Sequence, residues 1–290
     1  MKDVVLVPAW SRPEMLHYCL DRLSKATGID ACEVWVLIDE HHGFRSVSGQ
    51  LDTVIDSFPL LRIKTVRRNP HTFHGNSMNV LTGMKDAFSE GASHVFLVEE
   101  DVMVAQDFFL WHRAVMNQEK LFCSIAVKCQ RRTDAPTDDD ARKFWTSGSD
   151  YASLGVCLPR ESLRAIVCHA RDEYFRGQAS YIGQNFRDSR FGKEYHEQDG
   201  LILRIMGNVN GLSAWPCVPR AWHSGFWGYN RSDRIPFWSN LGLADKIKYC
   251  GQALENPDAL KKLAGPYQDV FAPDDRLNEW KTLQLAGRLP

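Results

Sequence analysis

The chain lacks several features that would place it at once. Nowhere in its 290 residues is there a run approaching the roughly 18 consecutive apolar residues of a membrane span. The opening, MKDVVLVPAW, has only a short apolar stretch interrupted by Pro8, with no h-region or small-residue cleavage site, so a cytoplasmic protein is expected. Its eight cysteines form no C-x-x-C pair, and most sit inside apolar runs, which argues against a zinc ribbon or disulfide framework and predicts reduced thiols. An excess of basic charge is missing as well. With 35 Lys and Arg against 36 Asp and Glu, the net charge is -1, so any polyanion must be bound by local patches. Repeats and low-complexity blocks are absent too.

What the chain does have is a succession of apolar runs long enough for one large α/β core. DVVLVPA reads as a first buried strand, and Ser11-Arg12-Pro13-Glu14 predicts a capping box opening a helix. Leu16, Cys19, Leu20 and Leu23 recur on one face of that helix at i, i+3, i+4 and i+7. EVWVLID and LRIKTV are the second and third strands, Ser77 to Phe88 a helix, and HVFLV a fourth strand. Strand, helix, strand, strand, helix, strand predicts a mostly parallel, doubly wound sheet flanked by helices. Further on come a helix near Gln106, a strand at CSIAVKC, a polar loop over 131–143, and a strand feeding a helix in YASLGVCLPRESLRAIV. DGLILRIM is an apolar helix or strand, and the stretch after Leu241 is amphipathic. Ligands of such sheets bind beyond the carboxyl ends of the strands, which nominates Trp10 and Arg12, Asp39 and Glu40, and Glu99 to Asp101.

The last of these stretches, FLVEEDVMVAQDFF, sets three acids side by side. Adjacent carboxylates disfavour one another's ionised form unless a cation compensates them. A hard divalent ion such as Mn²⁺ or Mg²⁺ suits them, because it takes one or two protein carboxylates and completes its shell with water and substrate phosphate. The bland alternative is that they cap the helix starting near Ala105.

VVLVPAWSRPEMLHYCLDRL, VWVLIDE and FLVEEDVMVAQDFF together resemble the GT-A class of nucleotide-sugar glycosyltransferases, most closely the N-acetylglucosaminyltransferase I group. That group carries an acidic triplet, an apolar residue and a following D-F-F in place of the DxD motif, and the order of features agrees from about residue 3 to 230. The resemblance implies a GT-A, Rossmann-like fold: 1–130 as the donor half, 131–240 as the acceptor-binding and catalytic half, and 241–290 as an amphipathic extension. It implies a UDP-sugar donor, a Mn²⁺ or Mg²⁺ ion, and transfer with inversion. Asp101 then matches the metal-binding acid, and Glu99 and Glu100 those facing the nucleotide ribose and the donor sugar, respectively. Pro8, Ala9 and Trp10 fall to the donor site, and Arg12 to the diphosphate, which a guanidinium fork suits. Asp39 matches the acid that accepts from uracil. In YHEQDGLILR, Asp199 matches the general base and Glu197 an acceptor-orienting neighbour, with a helix cap as the plain reading of Asp199. In VPRAWHSGFWGYNR, His223 matches a further metal or diphosphate contact, and Trp222 and Trp227 are offered as stacking surfaces. His74, with His71, lies on the expected donor side. The membrane anchor and stem of the Golgi enzymes are not expected here, which counts against a secretory-pathway glycoprotein as acceptor.

For the acceptor, FRDSRFGKEYHEQD interleaves Arg187, Arg190 and Lys193 with Phe186, Phe191 and Tyr195, a composition suited to tracking phosphates and stacking bases. Arg67, Arg68, Arg131 and Arg132 would extend that path. On this ground the chain is similar to phage-type glycosyltransferases that modify hydroxymethylated pyrimidines, and double-stranded DNA with a flipped base is the expected acceptor. A saccharide or lipid-linked saccharide is the main alternative. A sugar-nucleotide pyrophosphorylase is disfavoured, since PAWSRPE replaces its Gly-rich basic loop, and intact Asp101 and Asp199 argue against a silent binding module.

Overall fold

The computed structural model describes residues 2–40, 45–68, 75–118, 120–127, 145–186, 196–216, 219–225 and 241–256. The first four strands are β1 (Lys2–Ala9), β2 (Cys32–Asp39), β3 (Ile63–Arg68) and β4 (Ala92–Leu97). They are joined by helices α1 (Pro13–Ser24), α2 (Arg45–Asp56) and α3 (Gly75–Ser89). β1 pairs in parallel with β2 on one side and β4 on the other, and β2 pairs in parallel with β3. Val4 to Val7 and Val34 to Leu37 are fully buried, because a parallel strand with helices on both faces has no wet side.

Two sequence expectations change here. The second and third strands do not follow one another directly. Parallel neighbours need a crossover of about a dozen residues or more, and α2 supplies it, burying Leu51 and Val54 in the same core as β1 and β2. Nor does the capping box form. Arg12 occupies the cap position of α1 without a side-chain cap, and Pro13 opens the helix, where its missing amide costs nothing.

The second half contributes β5 (Val102–Val104), α4 (Phe108–Gln118), β6 (Cys123–Ile125), β7 (Trp145–Gly148) and β8 (Val156–Pro159). Helices α5 (Arg160–Val167), α6 (Asp172–Arg176), α7 (Gln178–Asn185) and α8 (Gln198–Asn208) follow, then β9 (Ser213–Pro216), β10 (Ala221–His223) and α9 (Leu243–Glu255). The main sheet has eight strands in the order β3-β2-β1-β4-β8-β6-β9-β7, and β10 and β5 form a separate two-stranded ribbon. β8 runs antiparallel to both β4 and β6, and β7 antiparallel to β9, while the other six strands share one direction. The mostly parallel α/β class is as expected. DGLILRIM resolves as helix, with Leu201, Ile202, Leu203, Ile205 and Met206 buried along α8.

The D-F-F tail anchors the acid triplet from behind. Phe108 and Phe109 are fully buried; Phe109 packs edge-on against Phe96 of β4 (ring centroids 4.9 Å apart), and Phe108 edge-on against His112. All six cysteines among the described residues are free thiols, as expected. Among the described residues, no helix is long and apolar enough to cross a membrane.

The chain builds β2 and β3 outward from one edge of β1, then returns to lay β4 on its other edge. The carboxyl ends of β1 and β4 are therefore the topological switch point, where the flanking connections diverge and leave a crevice.

Candidate active site

Two poles meet at that crevice. The first is the acid triplet after β4 with the turn after β1. Glu100 and Asp101 are 5% and 4% exposed, and one guanidinium holds both: Arg12 Nε lies 2.8 Å from Glu100 Oε1 and Arg12 Nη1 2.7 Å from Asp101 Oδ2. The Trp10 amide donates to Glu100 Oε2 at 3.0 Å. A buried carboxylate pair would be prohibitively costly alone, and a bidentate, hydrogen-bonded cation offsets that cost. Burial alone would raise the Asp101 carboxyl, but Arg12 and His223 pull it far below the usual carboxylate range. Burial would likewise lower the Arg12 guanidinium, and Asp101 and Glu100 reverse this and tighten its hold on its proton.

His223 arrives through the β5–β10 ribbon, whose antiparallel register sets His223 opposite Val102. Its Nε2 stands 3.3 Å from Asp101 Oδ2, while Ser224 donates to the Asp101 carbonyl from its amide (2.8 Å) and its hydroxyl (3.0 Å). Asp101 Oδ1 is buried with no hydrogen-bond partner. The next residue is Gly225, where a Cβ would collide with Asp101 Oδ2 and come within 2.9 Å of His223 Nε2. An orphaned carboxylate oxygen, an adjacent imidazole and a glycine that keeps the space over them open fit a divalent ion. Among the described residues no third His, Cys, Asp or Glu joins this pair, which is the ligand count of an ion that takes its remaining ligands from phosphate and water.

The second pole is Glu99 with the start of α8. Three neutral donors converge on Glu99 Oε1: Ser153 Oγ at 3.0 Å, Asn76 Nδ2 at 3.4 Å and Gln198 Nε2 at 3.4 Å. Asn76 lies in the first turn of α3 and Gln198 begins α8, and the Gln198 amide donates to Ser77 Oγ at 3.1 Å, so two helix N-termini are stitched together beside the acids. Burial, then repulsion from Asp101 and Asp199, raises the Glu99 carboxyl to about 7. Asp199 lies in the first turn of α8, half-buried, with Ser153 Oγ 3.4 Å from its Oδ2 and its Oδ1 buried without a partner. Its carboxyl is raised to about 6 by burial, against the Ser153 hydroxyl and with Glu197 adding to the rise.

The sequence-nominated residues divide accordingly. Arg12, Glu99, Glu100, Asp101, His223 and Asp199 come together in one crevice. Arg12 and Glu100 are spent on each other, so neither stands open in the way the diphosphate and sugar roles require. Pro8 and Ala9 are buried at the end of β1, and Asp39, half-buried, ends β2 opposite Arg68. Glu197 holds the cap position of α8 and is exposed, so the expected cap at Asp199 is corrected by two residues, leaving Asp199 free of that duty. Trp222 is also corrected: at 5% exposure it packs with Met103 and Ala105, and its ring is filler between ribbon and α9 rather than a stacking platform. Arg67 pairs with Glu40 and Asp52, and Arg68 with Asp86, so neither is a loose cation on an acceptor path. His71, His74, Arg131, Arg132, Arg187, Arg190, Lys193 and Trp227 lie outside the described residues. Ser153, Gln198, Asn76 and Gly225 were not legible as site residues. Ser and Asn carry no motif there, and only proximity to Asp199 or His223 marks the other two.

No family model and no curated protein matches the sequence. Among solved structures, the chain is similar to S. aureus TarS 1-349 in complex with UDP-GlcNAc at 10% identity, with a TM-score of 0.49, covering 90% of this chain and 72% of that one. It is similar to the mannosyltransferase PcManGT from Pyrobaculum calidifontis, in complex with GDP-Man and Mn²⁺, at 14% identity and a TM-score of 0.48, over 98% and 80% of the two chains. It is also similar to 4-diphosphocytidyl-2C-methyl-D-erythritol synthase from Anaerococcus prevotii, at 11% identity and a TM-score of 0.45, over 88% and 99%. At this distance the likeness carries no argument about activity, which has to come from the crevice itself.

Proposed function

We propose that the chain is a nucleotide-sugar glycosyltransferase of GT-A type, transferring a sugar with inversion from a UDP-sugar to an acceptor hydroxyl. The observation that carries this reading is the pair Asp101 and Asp199. Each has a buried carboxylate oxygen without a partner, yet their surroundings drive them apart, one far below the usual range and one up to about 6. Environments that separate two carboxyls in this way divide their labour between charge and proton transfer.

Asp101 and His223 are the residues that would hold a divalent ion, which when bound supplies positive charge to the donor diphosphate. The Asp199 carboxylate takes the proton of the acceptor hydroxyl. The acceptor oxygen bonds to the anomeric carbon, and the bond from that carbon to the diphosphate oxygen breaks, its electron pair leaving with UDP. A base that titrates near 6 is ionised at neutral pH and still basic enough to receive that proton. Arg12 keeps Asp101 ionised and in place.

The expected acceptor, a hydroxymethylated pyrimidine of duplex DNA, rests on the basic and aromatic stretch around Arg187 to Lys193, and the pairing of Arg67 and Arg68 with acids removes part of its support. Release of UDP from UDP-glucose and UDP-N-acetylglucosamine, with Mn²⁺ and with chelator, tests the reading. Metal-dependent release is expected, and turnover that ignores chelator, or none from any nucleotide sugar, overturns it. A gel shift with hydroxymethylated against unmodified duplex decides the acceptor, and retardation of neither sends the reading to saccharides.

A further inference from the structure

We propose that Ser153 is a positioning residue that holds the Asp199 carboxylate in place through its Oδ2; the inference rests on the glycosyl-transfer reading of this site. β8 is antiparallel to β4 with Val156 opposite Leu97, so the residues that precede β8 return to the same sheet end as the residues that follow β4. Ser153 thereby comes to face Glu99. It is 4% exposed, and its Oγ lies between two carboxylates on different elements, 3.0 Å from Glu99 Oε1 and 3.4 Å from Asp199 Oδ2.

A serine hydroxyl has one proton and two lone pairs, so it cannot donate to both acids at once. What it does is tie the triplet turn to the first turn of α8 and engage Oδ2 in particular. Oδ1 is the oxygen left without a partner, and it is buried, so the carboxylate is held in one orientation with one oxygen in reserve. The Ser153 backbone amide addresses the same carboxylate, so deleting the hydroxyl leaves a second anchor and spares the fold. Among the described residues, the other ionisable groups facing Asp199 are Glu197 at the cap of α8, Glu99 across the serine, and Tyr174 from α6, whose hydroxyl donates to the His196 carbonyl at 2.9 Å. Glu197 and Glu99, when ionised, repel an ionised Asp199 rather than orient it by donating a hydrogen bond. The hydroxyl of Ser153 can so orient it.

The test compares wild type with Ser153→Ala and Ser153→Thr in the full chain. With a UDP-sugar and Mn²⁺, Ser153→Ala is expected to lower kcat by about 10-fold, the order of loss for a reacting group held slightly out of place, with donor KM unchanged. The acidic limb of the rate profile should move to higher pH. Ser153→Thr, which keeps the hydroxyl, should recover most of the rate; if its extra methyl lowers the melting temperature, the Ala variant alone decides. An unchanged kcat, or a raised KM with kcat intact, overturns the proposal. Carbon NMR titration of Asp199, assigned with Asp199→Asn, reads the same contact without turnover. An upward shift in Ser153→Ala supports the clamp and no shift overturns it. Wild type that consumes no nucleotide sugar would sink the glycosyl-transfer reading while leaving the NMR result to stand or fall separately.

Discussion

Glu99 and Glu100 are the same amino acid one position apart, and the fold gives them opposite surroundings. Glu100 turns toward β1, where Arg12 and the Trp10 amide satisfy it with a full positive charge and a backbone donor. Glu99 turns toward α3 and α8, where Ser153, Asn76 and Gln198 offer only neutral donors and two further acids stand close by. The consequence reaches their neighbours. Asp101, sharing the guanidinium, stays charged under all ordinary conditions, whereas Asp199, sharing the serine, holds its proton up to about 6. A cluster of like charges is therefore split in two: a carboxylate held ionised beside a guanidinium, and carboxyls raised toward neutrality, which the proposed function uses as cation site and proton acceptor.

Breaking the neutral side should have the largest effect. Asp199→Asn is expected to lower kcat by about 10² to 10⁴-fold, as loss of a general base does, with the fold intact by circular dichroism; full activity in this variant would remove Asp199 from the mechanism. Breaking the charged side should appear in stability instead. Arg12→Met leaves Glu100 and Asp101 buried without their cation, and urea denaturation should show a loss of about 3–5 kcal/mol, the usual cost of orphaning a buried pair. A loss under 1 kcal/mol would mean that water or another cation already serves those acids. His223→Ala sharpens the comparison further. It should weaken Mn²⁺ binding by at least about 10-fold in calorimetry, while leaving the NMR titration of Asp199 where it was.

The smallest effects concern pH, with opposite signs on the two sides. Asp199 is raised, so the folded chain keeps a proton that the unfolded chain surrenders from its ordinary value of 3.8 upward. Its ionised form costs stability at neutral pH, and that cost fades as pH falls through about 6. Asp199→Asn should accordingly melt a few degrees above wild type at pH 7.5, about 2–4 °C for each kcal/mol, and lose the advantage near pH 4. Asp101 is depressed, so its contribution is present above 3.8 and is lost only under strong acid. In turnover, kcat/KM should fall below about pH 6 as Asp199 takes up its proton. A rate that stays flat to pH 4.5 would contradict the assignment of the base.

Much of the architecture of the first half was legible because parallel strands buried on both faces must be continuous apolar runs, and β1, β2 and β4 are written that way. The acid triplet and Asp199 stood out because charge at the end of such a run needs a reason. α2 escaped notice for want of a clear cap, although the parallel pairing of β2 and β3 requires a crossover. Arg12 was legible as a site residue but not in its partner: a guanidinium on the turn after β1 fits a phosphate and a carboxylate equally well, and only the adjacency of β1 and β4 chooses between them. Trp222 shows the same limit from the other side, since an aromatic beside a candidate site histidine reads alike whether it stacks on a ligand or fills a core.

The sequence by itself determined the first four strands, the sheet class and which acids sit at strand ends, because those follow from local periodicity and from the cost of burying charge, whereas the short β5, β7, β9 and β10 carry no such signal. The tertiary structure alone decided who neutralises whom. Val156 opposite Leu97 brings Ser153 to Glu99 and Asp199, and His223 opposite Val102 brings an imidazole to Asp101. Register between distant segments leaves no trace in either segment, and over a few ångströms it is distance that sets whether a carboxylate keeps its charge or holds a proton.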